Sequence, residues 1–290
     1  MKRRVGVIGA GITGVTTAYF LAKEGYDVTV YDSERYAGMK TSFANGGQIS
    51  VSNSETWTSW SNVGKAIKWI FKKDAPLLFK PWRIDWAMWR WVLGFLWATI
   101  KGEGKSNTAK TVQMGLESRK LYDQICKDEA IEHDMFDRSD CGIVHFYKTQ
   151  SYWHNALEVN SIYNENGLKR GIVDINKLTE LDPALSGLKD LVGATNTPSD
   201  WTGDIHKFCY HLAGVLESKY DVTFFYDTKV NNINEIAIAY DAIVIANGVG
   251  STALAKTINE DIGVYPVKGY SVTINNVNPK YLPKVSLLDD

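Results

Sequence analysis

The chain has 290 residues and a formal net charge of -1, with 44% hydrophobic and 22% charged residues. This length can bury the core of one large domain or two ordinary ones, and the composition is that of globular proteins. The near-zero net charge argues against a binder of polyanions over its whole surface. Cys126, Cys141 and Cys209 form no C-x-x-C pair or zinc spacing, so we predict no disulfide framework and no metal site.

The first predicted element is a buried parallel strand over residues 4–8, a short apolar run rich in β-branched side chains. It leads into a G-x-G-x-x-G motif at residues 9–14, and a helix is predicted over 13–24. A second strand is predicted over 28–31 and ends at Asp32. This strand–turn–helix–strand order is the context that a dinucleotide-binding turn requires. Because the same glycines break the apolar stretch after the basic N-terminus, we expect no secretory signal there.

Each part of this turn has a physical role in holding a nucleotide. Gly9 permits a tight turn, Gly11 lets a pyrophosphate approach the backbone, and Gly14 lets helix and strand pack closely. The helix N-terminus supplies unpaired N–H groups, and Asp32 can accept hydrogen bonds from ribose hydroxyls. The predicted cofactor contacts of the strand end and turn are Ile8, Gly9, Ala10, Gly11, Ile12, Thr13 and Gly14.

The segment after Asp32 bears on the choice between NAD and FAD. Residues 37–54 are polar and contain glycines, whereas a simple NAD enzyme continues with alternating helix and strand. Gly46 and Gly47 allow close backbone approach, which suits a large flat ring beyond the pyrophosphate. An ordinary surface loop has the same composition, so these residues alone leave both interpretations open.

Two segments carry a family resemblance. Residues 41–50 (TSFANGGQIS) and 265–274 (YPVKGYSVTI) resemble the flavin-bearing small subunit of bacterial D-amino acid dehydrogenases, in the D-amino acid oxidase and glycine oxidase superfamily. Shorter matches follow the same order, and the resemblance covers essentially the whole chain. It implies an α/β fold, in which a Rossmann-type FAD-binding domain carries an inserted α+β substrate domain. The implied ranges are 1–56 and 200–262 for the FAD-binding domain, and 57–199 and 263–290 for the substrate domain.

The resemblance also implies roles for single residues. Near the flavin ring system it places Ser42, Asn45, Gly47 and Gln48. The backbone of Val230 would hold the adenine edge, and Tyr270 would line the substrate side. Asn247 and Gly248, which follow a predicted strand over 242–246, would form a second cofactor contact. Relatives often have threonine or a small residue where Asn247 stands.

Residues 57–105 hold eight of the ten tryptophans, with nine Lys or Arg residues against three acidic ones. Trp82, Trp86, Trp89, Leu93 and Trp97 recur at helical spacing. Such a basic, aromatic helix suits a membrane–water interface, but tryptophans in the core of a substrate domain explain the pattern equally well. The resemblance favours peripheral membrane contact. Single-stranded nucleic acid is disfavoured, because nothing else in the chain supports it.

Further elements are predicted from local patterns. They are strands over 141–147 and 222–226, a helix over 152–166 and a helix that starts at Thr202. The sequence departs from the family pattern in two places. The segment over residues 231–240 is shorter than the small β-meander that relatives have there. The chain also ends at Asp290. Relatives continue with a glycine-rich segment and an arginine thought to clamp the substrate carboxylate, so a gene fragment or a natural truncation is expected.

The function that the resemblance implies is FAD-dependent oxidation of D-amino acids, such as D-alanine, to 2-oxo acids and ammonia. Electrons would pass to a membrane quinone, at the cytoplasmic side of the bacterial inner membrane or in the cytoplasm. Three alternatives remain open: an amine oxidase of the glycine or sarcosine type, a catalytically inactive FAD-binding fragment, and an NAD-dependent oxidoreductase. The last is disfavoured by residues 41–50.

Overall fold

A computed structural model describes residues 2–70, 85–274, 276–278 and 282–289. The strands are β1 (Arg4–Ile8), β2 (Asp27–Tyr31), β3 (Gln48–Ile49), β4 (Ile143–Tyr147), β5 (Gly171–Val173), β6 (Gly193–Thr197), β7 (Trp201–Thr202), β8 (Thr223–Phe225), β9 (Ala242–Ile245) and β10 (Ser286–Asp289). The helices are α1 (Ile12–Lys23), α2 (Trp60–Ile70), α3 (Trp86–Ile100), α4 (Gly104–Asp128), α5 (Gln150–Glu165), α6 (Leu178–Leu181), α7 (Ile205–Lys219) and α8 (Ser251–Lys256).

The chain forms two compact units. Unit 1 comprises Met1–Gly47, Asp123–Arg138 and Gly203–Thr273, and unit 2 comprises Gln48–Tyr122, Ser139–Thr202 and Ile274–Asp290. Residues 123–138 and 263–273, predicted in the substrate domain, lie in unit 1. Residues 48–56 and 200–202, predicted in the FAD-binding domain, lie in unit 2. The reason for the segment over residues 123–138 is a set of contacts with α1 and α7, described below.

Unit 1 is built on a four-stranded parallel sheet in the order β8-β2-β1-β9. The central strand β1 is buried from its second residue onward, as expected for a strand with neighbours on both sides. Helices α1 and α7 pack against each other. Both helices bury apolar side chains, among them Val15 and Ala18 of α1 and Phe208 and Leu212 of α7. These elements give unit 1 the Rossmann-type α/β architecture.

A buried acidic side chain joins three parts of unit 1. The Glu129 carboxylate accepts hydrogen bonds from the Tyr19 hydroxyl at 2.9 Å and the Tyr220 hydroxyl at 2.6 Å. It also pairs with the Lys219 ammonium at 2.7 Å. Close by, the Lys23 ammonium lies 2.6 Å from the Asp128 carboxylate. These contacts attach the segment from Asp123 to Arg138 to α1 and α7.

Unit 2 contains a mixed four-stranded sheet in the order β10-β4-β6-β5. Strand β10 runs parallel to β4, and β6 runs antiparallel to both β4 and β5. One apolar cluster includes Val144, Phe146 and Leu185, and a second includes Val112 and Tyr163. The predicted fold class, a Rossmann-type domain joined to an α+β domain, is confirmed.

Some predicted boundaries need correction. The helix expected to start at Thr202 begins at Ile205, because Thr202 is in β7 and Asp204 caps the helix with a side-chain bond to the Lys207 amide at 3.1 Å. Trp82 of the predicted aromatic stripe lies outside the described residues. Within the described ranges, no helix combines the length and hydropathy needed to cross a membrane.

Candidate nucleotide-binding site

The glycine turn lies where the strand order of the parallel sheet reverses. From β1 the chain proceeds to β2 on one side, while β9 pairs with the other side of β1. In open parallel sheets, such a switch point at the carboxyl ends of the strands is where nucleotides bind. Gly9 follows β1 with φ +109°, and a Cβ on Gly9 would collide with the Ala246 carbonyl at the end of β9. Only glycine therefore fits between the two strand ends.

The first turn of α1 offers unpaired amides toward this switch point. A Cβ on Gly14 would overlap the Gly9 carbonyl oxygen, so Gly14 lets the helix approach the end of β1. Gly11 is the N-cap and brings no side-chain hydrogen bond. No acceptor among the described residues pairs with the amides of Gly11, Thr13 or Gly14. Free amides at a helix N-terminus, with no acidic residue in the first turn, fit an anionic pyrophosphate.

Asp32 has a structural role that the sequence did not reveal. Its Oδ2 accepts a hydrogen bond from the Ala10 amide at 2.6 Å, and its Oδ1 accepts one from the Glu34 amide at 2.8 Å. Asp32 thus holds the glycine turn from the end of β2, and the Ala10 amide is already used. A carboxylate has about four acceptor positions, so Asp32 retains capacity for ribose hydroxyls.

Ser42, which the family resemblance places near the flavin ring system, contacts the N-terminus of α1. Its Oγ accepts a hydrogen bond from the Ile12 amide at 3.0 Å. A Cβ on Gly11 would come within 3.4 Å of the same oxygen. Ser42 also forms a hydrogen bond with the Cys209 thiol. Burial raises the pKa of this thiol to about 12, and the bond with Ser42 opposes the rise. Ser42 therefore acts as an external cap for a helix whose own N-cap is glycine.

Asn45 and Gly47 stabilise the loop after the turn. The Asn45 amide donates to the Ser42 carbonyl at 2.7 Å, and its Oδ1 accepts from the Gly47 amide at 2.7 Å. Gly47 has φ +59°, and its carbonyl accepts a hydrogen bond from the Gly203 amide at 2.8 Å. A Cβ on Gly47 would come within 2.9 Å of the Gly203 oxygen, so glycine is required for this close approach.

The predicted cofactor residues Asn247 and Gly248 follow the end of β9, next to the glycine turn. Ala246 is bonded through its amide to the Ile8 carbonyl at 2.8 Å, and Asn247 and Gly248 follow directly. The Val230 side chain is buried with Ile8 in one apolar cluster. The described residues offer no hydrogen-bond partner to the backbone N–H or C=O of Val230. Both groups are therefore free to pair with a base edge, as the resemblance implied.

The remaining two predicted site residues, Gln48 and Tyr270, have the following contacts. Gln48 belongs to unit 2, where its Nε2 donates to the Ser286 Oγ at 2.5 Å. Tyr270 lies in a stretch of unit 1 without regular secondary structure, and its ring is 87% exposed with the Lys268 ammonium over it. Among the described residues, no group of three or more His, Cys, Asp or Glu side chains is placed to hold a metal ion.

The strand order, the free amides and Asp32 together define a dinucleotide-binding α/β protein. The chain belongs to the DAO family, described as FAD dependent oxidoreductase, whose model matches residues 4–289. This membership confirms FAD as the cofactor, which the glycine motif alone left undecided. It also confirms the resemblance inferred from residues 41–50 and 265–274.

Named relatives agree with this family. The chain is 40% identical to D-amino acid dehydrogenase 3 of Mesorhizobium japonicum over 304 residues, which covers 99% of this chain and 72% of that protein. It is 38% identical to D-amino acid dehydrogenase of Dechloromonas aromatica, with coverage of 99% and 72%. Glycine oxidase of Geobacillus kaustophilus shares the fold, with a TM-score of 0.61 and 16% identity over 89% of this chain and 59% of that one.

Proposed function

We propose that this chain is an FAD-dependent dehydrogenase of D-amino acids, such as D-alanine. The observation that carries the proposal is the set of unpaired amides of Gly11, Thr13 and Gly14 at the start of α1. They occur in a chain 40% identical to a protein named D-amino acid dehydrogenase 3. When bound, FAD would accept the hydride from the substrate Cα. The resulting imino acid would take up water and release ammonia, leaving a 2-oxo acid.

The residues of the chain hold and orient the cofactor in this proposal, because the redox chemistry belongs to the flavin. The amides of Gly11, Thr13 and Gly14 would bind the pyrophosphate, and Asp32 would bind the ribose. The Val230 backbone would bind the adenine edge. Asn247 and Gly248 would form the second contact with the cofactor. The ring system would lie near Ser42, Asn45, Gly47 and Gln48. Tyr270 would line the substrate side.

We propose that the electrons leave to a membrane quinone and that α3 contacts the lipid surface. The outer face of α3 is apolar: Trp86 is 83% exposed, and Leu93, Trp97 and Ile100 are each about 60% exposed. Met88 and Thr99 form the buried side of the same helix. The surplus of basic residues over 57–105 favours anionic lipid at the cytoplasmic side of the inner membrane.

The activity is tested with the full chain, FAD and D-alanine, using a soluble quinone analogue as acceptor. We expect reduction of the quinone, accumulation of pyruvate and ammonia, and little reaction with L-alanine. Equal turnover of both enantiomers would contradict the proposal. Peroxide formation with glycine or sarcosine would favour an amine oxidase instead, and FAD binding without turnover would favour a catalytically inactive FAD-binding protein.

Lipid contact is tested by co-sedimentation with vesicles of phosphatidylcholine, with and without phosphatidylglycerol. We expect binding to rise with the anionic lipid and to weaken in a variant that combines Trp86→Ser with Trp97→Ser. Ile238→Ser is the matched control, because Ile238 is 95% exposed but lies in unit 1. Equal vesicle binding by all three proteins would contradict a role of α3.

A further inference from the structure

The loop segment over residues 38–42 contacts both the glycine turn and α7, and all three belong to unit 1. At its start, the Gly38 amide donates a hydrogen bond to the Ala10 carbonyl at 2.8 Å. At its end, the Ser42 Oγ accepts a hydrogen bond from the Ile12 amide at 3.0 Å. The segment therefore holds the turn and the first residue of α1 at two points, and its own position depends on what supports it from the other side.

Helix α7 supports this segment through Cys209, a fully buried residue. Gly38 has φ +78°, and a Cβ on Gly38 would come within 3.0 Å of the Cys209 Cβ and 3.1 Å of the His206 Nδ1. The Phe43 and His206 rings also pack edge to face, with 5.1 Å between their centroids. The backbone at Gly38 is therefore packed directly against α7.

The hydrogen bond between Cys209 and Ser42 determines how the Ser42 hydroxyl is oriented. A hydroxyl has one proton and two acceptor positions. The Ile12 amide uses one acceptor position of Ser42, and donation of the proton to the Cys209 sulfur leaves that position facing the helix. Because Ser42 is only 8% exposed, little water competes for its proton. The sulfur therefore favours the orientation in which Ser42 caps α1.

We propose that Cys209 is a positioning residue for the pyrophosphate-binding end of α1, which it holds through the Ser42 hydroxyl. The inference rests on the proposed function, in which the amides of Gly11, Thr13 and Gly14 bind the pyrophosphate. These amides belong to the same helix end as the Ile12 amide. A cap that loses its orientation therefore changes where they point, and the pyrophosphate loses part of its fixed set of donors.

The positioning is tested first without the cofactor, by amide hydrogen exchange of Ile12 in the full chain, measured by NMR spectroscopy. Cys209→Ala keeps the Cβ that packs against Gly38 and removes only the sulfur. We expect exchange at Ile12 to accelerate about threefold, because a thiol is a weak hydrogen-bond partner. Cys209→Ser, which retains an acceptor, should remain close to the wild type. Unchanged exchange in Cys209→Ala would overturn the inference. Should that variant not fold, Cys209→Val also lacks the acceptor and replaces it.

The matched control is Cys126→Ala, because Cys126 is also a buried thiol of unit 1 but has Arg138 and Asp123 as its charged neighbours. It should lower stability without changing exchange at Ile12. If it accelerates exchange there as much as Cys209→Ala does, the effect is general loosening of unit 1 and the inference fails.

A double-mutant cycle tests whether Cys209 acts through Ser42. Residues that act through one another are not additive, whereas independent sites are. In a Ser42→Ala background, Cys209→Ala should therefore cause no further loss of nucleotide affinity. A second loss of the same size as in the wild-type background would contradict the role of the hydroxyl.

The consequence for binding is measured by titration with ADP and with FAD, which share the adenosine and the pyrophosphate. Cys209→Ala should weaken both about threefold, while Cys209→Ser and Cys126→Ala should match the wild type. A loss of affinity for FAD alone, or for neither nucleotide, would refute a role at the pyrophosphate-binding end of α1. A wild-type protein that binds ADP but not FAD would contradict the proposed function, and the ADP titrations would still decide the role of Cys209.

Discussion

The Asp32 carboxylate bonds to the backbone amide of Ala10, with 2.6 Å between Oδ2 and the nitrogen. This bond connects the end of β2 to the glycine turn after β1. The acidic residue is therefore part of the turn's own structure as well as a candidate partner for the ribose. Its substitution should change both the stability of the turn and the affinity for FAD.

Asp32→Asn should weaken both properties. An amide has only one oxygen acceptor, so either Ala10 or Glu34 loses its bond. We expect a loss of about 1–2 kcal/mol in the free energy of unfolding and about tenfold in FAD affinity. Asp241→Asn is the control, because the Asp241 carboxylate accepts from the Arg4 amide at 2.7 Å at the opposite end of β1. Urea unfolding and FAD fluorescence titration measure both effects; equal FAD affinity in all three proteins would refute the role of Asp32.

Gly14→Ala should destabilise unit 1, because the new Cβ would overlap the Gly9 carbonyl and push α1 away from β1. Overpacking of this kind costs about 1–3 kcal/mol. Gly214→Ala in α7 is the matched helix control, since nothing lies within 4 Å of its added Cβ. That variant should gain about 0.5–1 kcal/mol from helix propensity. Urea unfolding followed by circular dichroism distinguishes them, and a Gly14→Ala protein as stable as the wild type would contradict the packing argument.

The sequence predicted β1, α1 and β2 closely because their signals are local. Apolar runs, glycine spacing and the acidic residue after β2 all fall within the first 32 residues. The assignment of residues 123–138 to unit 1 has no such signal. It depends on pairs such as Lys23 with Asp128 and Lys219 with Glu129, whose partners are about a hundred residues apart. Charged residues on a helix are usually solvent-exposed, so the sequence does not indicate which of them pair. These ion pairs are visible only in the folded structure.

The same limit applies to the candidate site. The glycines could be assigned roles from spacing, because the turn determines where each one lies. Ser42 could not, because its contact with the Ile12 amide joins a loop to a helix thirty residues earlier. The family resemblance placed Ser42 near the flavin ring system, but it did not indicate the bond of its hydroxyl to the Ile12 amide. Periodicity likewise found the aromatic residues of α3, but it did not show which of them point outward.

Ser42→Ala should remove the external cap of α1. Loss of a capping side chain costs about 1 kcal/mol, and we expect FAD affinity to fall about tenfold because the Ile12 amide loses its fixed partner. Ser218→Ala is the control, since among the described residues the Ser218 hydroxyl bonds only within α7. Its acceptors are the Gly214 carbonyl at 2.7 Å and, more weakly, the Val215 carbonyl. Thermal unfolding and FAD titration measure the two effects. Ser42→Ala would contradict the assignment if it bound FAD as tightly as Ser218→Ala does.

Glu129 should make the stability of unit 1 depend on pH. Burial alone raises its pKa, but hydrogen bonds from Lys219, Tyr220 and Tyr19 outweigh burial and hold the pKa below its ordinary value of 4.5. The stabilisation is therefore complete above that value and is lost as the pH falls through the lower pKa of the folded state.

Glu129→Gln removes this titration while keeping the shape of the side chain. At pH 7 it should lower the free energy of unfolding by about 1–3 kcal/mol, because two tyrosine hydroxyls and an ammonium lose a charged acceptor. The difference from the wild type should shrink as the pH falls below about 4.5. Glu217→Gln, at an exposed position of α7, should change stability by less than about 0.5 kcal/mol at pH 7. Urea unfolding across this pH range measures the effect. A difference that stays constant down to the lowest pH would contradict a contribution from the charge of Glu129.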